Sequence, residues 1–327
     1  MDNKNDIQVM VQCAKMYYIE KMTQAEIAKK LGVSRSSISV MLSQAMDNGI
    51  IEISIKDPYA NNDRLSGALK ERFGLDDCRV VPINVASEEL LVKIVSSQAG
   101  LLASEIIKSH SAIGIAWGRT CYEFMQEFPV KRDIYDVNVV PLLGGSNRVG
   151  LEYQLNETVR MFAEKLHGSP SFIYAPAIAD TIADRALYMQ SVYMQSIVEK
   201  WMNIGFAVVS AGMPPEQNKG EKPPIALDSM IDTINENYGK AIGDICAFRI
   251  NIKGEFVNND YNSRIIGIGE QYLHKVKKVM CIAAGEHKAL SVIGALNTKI
   301  LNYLVIDEKT AQIILEVLDC KRINCLQ

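Results

Sequence analysis

Several short segments of this chain hold residue types that could do chemistry together. Trp117-Gly118-Arg119-Thr120 follows an apolar run and opens a helical pattern. Glycine there lets the backbone approach a ligand, threonine offers a hydroxyl, and a helix start offers unpaired amides for an anion. Leu143-Gly144-Gly145-Ser146-Asn147 is a second open loop of this kind, and Ala284-Gly285-Glu286-His287-Lys288 a third. A lysine in a helix's first turn opposes the dipole unless an anion is present, which points to phosphate. Gly243-Asp244 could present a carboxylate to sugar hydroxyls, or simply form a turn. A different chemistry is suggested near the N-terminus, where Ser34, Arg35, Ser36, Ser37, Ser39, Val40 and Ser43 fall on the outward side of one helical pattern. A helix entering the major groove of DNA needs small side chains for close approach and a few donors for bases and phosphates. The bland reading is a generic helical hairpin, but serine is a mediocre helix former and five in one helix want a reason.

The elements that must position these residues can be read from periodicity. A first amphipathic helix carries Ile7, Val9, Met10, Ala14 and Tyr17-Tyr18. Thr23-Gln24-Ala25-Glu26 has the form of a capping box, so a second helix starts there and stops at Gly32. Ser34 caps a third, which runs to about Asp47 before Asn48-Gly49. Ile27, Ala28, Leu31, Val33, Ile38 and Met41 are the apolar positions that must pack in a helix-turn-helix. Ile50 to Ile55 alternates like a strand and reads as a possible wing, and Pro58 to Asn62 as a linker. The expected domains are therefore 1–56, reading DNA, and 57–327, binding an effector and assembling.

Beyond the linker, strand-like runs alternate with helical ones. Strands are expected at Arg79 to Pro82, Ala112 to Ala116, Val137 to Leu142, Phe172 to Tyr174, Phe206 to Ser210, Val279 to Ala283 and Tyr303 to Ile306. Such alternation predicts an α/β domain with a mostly parallel sheet covered on both faces. A hairpin over Asp244 to Ile252 is expected on its margin. Ligands in such sheets sit outside the carboxyl ends of the strands, where the three glycine loops fall.

Composition narrows the classes. The 327 residues are 48% hydrophobic and 22% charged, an ordinary globular balance with chain enough for about two domains. No apolar run approaches the ~20 residues of a membrane span. The polar N-terminus carries no signal core, and the seven cysteines are scattered without a Cys-x-x-Cys pair, so a reduced cytoplasm is expected. Net charge is −3, yet the window Lys21 to Met46 holds four bases and one acid, as befits a small part that meets phosphates. His110, His167 and His274 lack partners at metal-like spacing, and His287 has only Glu286 and Lys288 beside it. No metal or cofactor is expected. Trp117 and Trp201 read as packing residues.

Taken in order, Tyr17-Tyr18, Met22-Thr23-Gln24-Ala25-Glu26-Ile27-Ala28, Leu31-Gly32-Val33-Ser34-Arg35 and Gly49-Ile50 resemble the helix-turn-helix of the SorC family of sugar-responsive bacterial transcriptional regulators. The likeness continues through Phe73-Gly74-Leu75, Gly118-Arg119-Thr120, Gly144-Gly145, Gly243-Asp244-Ile245, Arg264 to Ile268, Gly285-Glu286 with Lys288, and Asp307-Glu308. It spans nearly the whole chain. The resemblance implies an effector domain similar in fold to ribose-phosphate isomerase and glucosamine-phosphate deaminase, phosphorylated sugars as ligands, and homo-oligomers, often tetramers. It implies that Gly118, Arg119 and Thr120 form a phosphate loop and Gly144-Gly145 a second ligand loop, with Asp244 and Lys288 facing the ligand. The DNA-binding set expected is Thr23, Gln24, Ser34, Arg35, Ser36, Ser37 and Ser39. Ser36, Ser37 and Val40 depart from the family's usual Pro, Thr and Arg, so its operator sequence does not transfer.

Two functions follow. The leading one is a regulator of a carbohydrate operon whose affinity for operator DNA is controlled by a sugar or sugar phosphate. The alternative is an active sugar-phosphate isomerase or deaminase carrying a DNA-binding head, with Asp244 and Glu286 as acid and base. An enzyme has no need of residues 1–56.

Overall fold

The computed structural model of the chain describes residues 3–51, 61–82, 85, 87–129, 134–146, 153–213, 227–236 and 239–320. The chain divides into two compact units, Met1–Lys56 and Asp57–Gln327, each with its own core.

In the first unit, helix α1 (Asn3–Ala14) runs on into a π-helical turn (Lys15–Ile19), followed by α2 (Gln24–Leu31) and α3 (Arg35–Asp47). Thr23 caps α2 in a full capping box: its hydroxyl accepts from the Glu26 amide while the Glu26 carboxylate accepts from the Thr23 amide at 2.8 Å. Those bonds hold the exposed Glu26 carboxyl below its ordinary pKa. Gly32 ends α2 in the left-handed region (φ 69°), where a side chain would be strained. The turn lets α2 and α3 share a core of Cys13, Met16, Ile27, Ala28, Ile38 and Leu42. Ile27 and Ile38 are fully buried, each worth ~1.5–3 kcal/mol in removed apolar area. Two expectations change. Val33 sits in the turn and is 38% exposed, and its inward place is taken by Leu42 and Ala45. The amides of Ile50 and Ile51 both bond back to the Ala45 carbonyl, which closes α3. The rest of the proposed wing, 52–55, and linker residues 58–60 lie outside the described residues.

The second unit opens with α4 (Asp63–Phe73), capped by Asn62, and β1 (Asp77–Val81). There follow α5 (Glu88–Ile106), β2 (Ala112–Ile115), α6 (Arg119–Glu127), β3 (Asn138–Pro141), α7 (Leu155–Lys165) and β4 (Ser169–Pro170). Next come α8 (Ile182–Gln190), α9 (Val192–Met202), β5 (Phe206–Val209), β6 (Ala211–Gly212) and α10 (Leu227–Glu236). The chain finishes with β7 (Gly243–Ile245), β8 (Phe248–Ile250), short α11 (Asp260–Ser263) and α12 (Glu270–Leu273), β9 (Val279–Ala283), α13 (Ala289–Asn297), β10 (Tyr303–Asp307) and α14 (Glu308–Asp319). Among the described residues, seven strands form one parallel sheet in the order β1-β10-β9-β5-β2-β3-β4. Every residue of β9 and β10 is buried, which requires cover on both faces. The chain is thus helix-turn-helix followed by an α/β unit, as expected. Among the described residues no helix is long and apolar enough to cross a membrane.

Two expected elements differ. Residues 172–174 are not a strand, because side chains replace the ladder: Asn156 bonds both the amide and the carbonyl of Ile173 at 3.1 Å, and the Tyr193 hydroxyl donates to the Phe172 carbonyl. The hairpin of β7 and β8 pairs with β6 in its own antiparallel sheet instead of lying on the margin of the large one. Ser210 separates β5 from β6, so one stretch of chain feeds both sheets.

Candidate functional site

On α3 the hydroxyls divide into two groups. Ser34 is the cap: its oxygen accepts from the Ser37 amide at 3.0 Å and lies 2.7 Å from the hydroxyls of both Ser36 and Ser37. These three serines build the helix start, and Ser37 is half-buried as a result. Arg35, Ser39, Val40 and Ser43 are exposed, and among the described residues the Arg35 guanidinium has no ion-pair or hydrogen-bond partner. At the start of α2, Thr23 is exposed and Gln24 half-buried.

In the second unit the loops following β2, β5 and β9, three neighbouring strands, converge on a cavity of about 610 Å³ at their carboxyl ends. Gly118 leads into α6 with φ 107° and ψ 163°, a conformation essentially restricted to glycine. It caps the helix with no side chain, so no side chain satisfies the first-turn amides of α6. Thr120, only 4% exposed, lines the cavity, and among the described residues its hydroxyl has no partner. The Lys288 ammonium also faces the cavity without a hydrogen-bond or ion-pair partner among the described residues. Burial lowers the Lys288 pKa, and the positive charge of Arg119 adds to that. Arg119 itself is engaged: it donates to Glu88, at the start of α5, at 2.5 Å.

Asp244 projects from β7 opposite Gly212 of β6. A Cβ at position 212 would overlap the Asp244 carboxylate, so the glycine makes room for it. Asp244 accepts from the Ala247 amide at 3.2 Å, across a turn in which Cys246 (φ 51°) and Ala247 (φ 66°) are both left-handed. Asn-Gly is the usual pair for such a turn, and each non-glycine residue there costs ~1–2 kcal/mol. Burial raises the Asp244 carboxyl to a pKa of about 6, against the Ala247 hydrogen bond and the charges of Lys288 and Arg249. On the next wall the Arg249 guanidinium lies 3.8 Å over the Tyr261 ring, and Tyr261 lines the cavity.

A buried carboxylate positions the Lys288 turn. Asp307, 1% exposed at the end of β10, accepts from the Gly285 amide (2.8 Å), the Thr310 amide (3.0 Å) and the Thr310 hydroxyl (2.6 Å). One side chain thereby caps α14 and pins the start of the turn that carries Lys288.

Of the expected effector residues, Gly118, Arg119, Thr120, Asp244 and Lys288 come together in this cavity. Three do not. Gly144 and Gly145 bond to the Ile266 and Ala175 carbonyls and pack against the 175–176 backbone, so their lack of side chains serves close backbone approach; Ser146 reaches the cavity instead. Glu286 turns away to Lys309 at 3.8 Å, and His287 lines the cavity in its place. Trp117, expected as packing, also lines the cavity. Glu88, Ser210, Gly212 and Tyr261 were not legible as site residues, because each comes from a distant segment. Asp307 carried a local signal, an Asp three residues before Thr at a helix start.

Against known proteins, residues 57–316 match a family described as "Putative sugar-binding domain", and residues 12–48 match region 4 of sigma-70. The chain is 29% identical to the sorbitol operon regulator of Klebsiella pneumoniae over 97% of this chain and 100% of that one. It is 27% identical to the deoxyribonucleoside regulator of Bacillus subtilis over 93% of this chain and 96% of that one. The crystal structure of full-length SorC from Klebsiella pneumoniae superimposes with a TM-score of 0.70 at 28% identity, covering 96% of this chain and 99% of that one. These relatives are transcriptional regulators. With a helix-turn-helix ahead of a sugar-binding domain that spans residues 57–316, the chain belongs to the SorC family of sugar-responsive transcriptional regulators.

Proposed function

We propose that this regulator reads operator DNA through residues 1–56, with Arg35 and Ser39 on base edges and Thr23 and Gln24 against the backbone, and that a phosphorylated sugar in the 57–327 cavity controls that affinity. The observation that carries the phosphate is the meeting, in one cavity, of the uncapped start of α6, the unpartnered Thr120 hydroxyl and the unpartnered Lys288 ammonium. Helix-start amides and a cation are what a phosphate needs. Asp244 is placed to accept from a sugar hydroxyl.

The ligand acts by binding one assembly geometry more tightly than another, since only differential affinity shifts such an equilibrium. A single helix-turn-helix with one arginine on its outward face binds weakly, so at least a dimer, and by family resemblance a tetramer, places several on one operator. The setting is the cytoplasm. No turnover is proposed: Glu286, the second carboxylate an isomerase would use, is held by Lys309 outside the cavity.

A thermal-shift panel of sorbitol, erythritol, deoxyribose and their phosphate esters, with inorganic phosphate, tests this reading. A phosphate ester should raise the melting temperature by mass action and change operator affinity in a gel-shift titration. Stabilisation by free polyols alone would refute the phosphate assignment.

A further inference from the structure

Helix α8 has no buried residue. A nine-residue helix is too short to be stable in water on propensity alone, so it needs tertiary or quaternary support. It meets α9 at Ser191, which ends the one and caps the other. Around that corner Leu187 (69% exposed), Tyr188 (41%), Val192 (88%) and Tyr193 (43%) stand in water, and Tyr174 (75%) stacks on Tyr193 at 6.0 Å between ring centres. These five side chains leave on the order of 600 Å² of mostly apolar surface exposed. That is at the top of the range for a monomer's largest patch, and most of the ~800 Å² a subunit gives to a standard interface.

Charge says what covers it. From Ala186 to Val198 there is no charged residue, although 22% of the chain is charged. A nucleic acid would call for bases here, and a partner of different composition is commonly steered by charge of opposite sign. Across a two-fold axis each patch meets its own copy, so any charge near the axis would face itself. An apolar, neutral patch avoids that repulsion.

We propose that the α8–α9 corner, with Tyr174, is the face through which two copies of this chain pair. The proposal deepens the assembly part of the function above and rests on it. Sedimentation velocity of the full chain at micromolar concentration, wild type against Leu187→Glu/Val192→Glu, tests it. Both positions are exposed in the subunit, so the glutamates should leave its circular dichroism and heat unfolding unchanged. The expected result is a wild-type dimer or larger assembly and a variant of half that mass or less. The apparent self-association constant should weaken at least ~100-fold. A variant that keeps the wild-type mass, or a monomeric wild type, overturns the proposal. If the glutamates unfold the chain, Leu187→Gln/Val192→Ser repeats the measurement, and a fall in mass supports the pairing face while an unchanged mass overturns it. The two readings fail separately. Unchanged mass with an intact DNA response defeats only the surface, whereas wild type that assembles but ignores DNA and sugar phosphates defeats only the function.

Discussion

Lys288→Met is the sharpest probe of the cavity, because it keeps the half-buried stem and deletes only the charge. The ammonium has no protein partner among the described residues, and burial already pushes its pKa down. Its charged form therefore costs folding stability at neutral pH, a cost that the charges of Glu88 and Asp244 offset only in part. The variant should melt at or above the wild-type temperature. Ligand binding should change in the opposite sense. A charge-assisted hydrogen bond to phosphate is worth ~1.5–3 kcal/mol, so a phosphate ester should bind roughly tenfold to 150-fold more weakly. The matching free sugar, lacking the group that Lys288 holds, should lose less than about threefold. Titration calorimetry with deoxyribose 5-phosphate and deoxyribose, or whichever pair the thermal screen selects, reads both numbers. Operator binding without ligand should stay intact. Equal losses for ester and free sugar would mean that Lys288 shapes the cavity without holding phosphate, and the site assignment would fall.

Further predictions follow from the same contacts. Arg35→Ala should weaken operator binding by ~1–3 kcal/mol in a gel-shift titration while leaving the melting temperature alone, since its guanidinium holds nothing in the fold; unchanged binding would move the reading surface elsewhere. Ser34→Ala removes the α3 cap and should cost about 1 kcal/mol of stability by denaturant melt, which separates a structural serine from a reading arginine. Asp307→Ala strands the Gly285 amide and both Thr310 donors, so it should destabilise by several kcal/mol and weaken ligand binding through the displaced Lys288 turn. Asp244 has a folded pKa of about 6, above its unfolded value, so its contribution to stability is fully present below about pH 4 and is lost as pH rises through about 6. Asp244→Asn keeps the acceptor for Ala247 and should remove that loss, up to ~3 kcal/mol; parallel stability–pH curves for the two proteins would contradict the assignment.

Elements whose ends are written in local chemistry were legible from the residues alone. Thr23 with Glu26, Gly32 and Ser34 bound the helix-turn-helix because capping bonds and a left-handed turn involve neighbours within four residues. The strands at 112–115, 279–283 and 303–307 were legible because burial on both faces demands unbroken apolar runs. Gly118 and Gly285 were legible as turns at strand ends, and both take positive φ angles that favour glycine. Tertiary structure alone decided what stands across from what. Asn156 displaces a ladder at Ile173, Glu88 reaches Arg119, Gly212 clears space for Asp244, and Asp307 grips Gly285. Each of those partners is remote in sequence or turns on register, and a register carries no mark in either strand read by itself. The same holds for Gly144-Gly145 and Glu286, whose residue types suit a ligand loop but whose neighbours, known only once the chain is folded, turn them to packing and to Lys309.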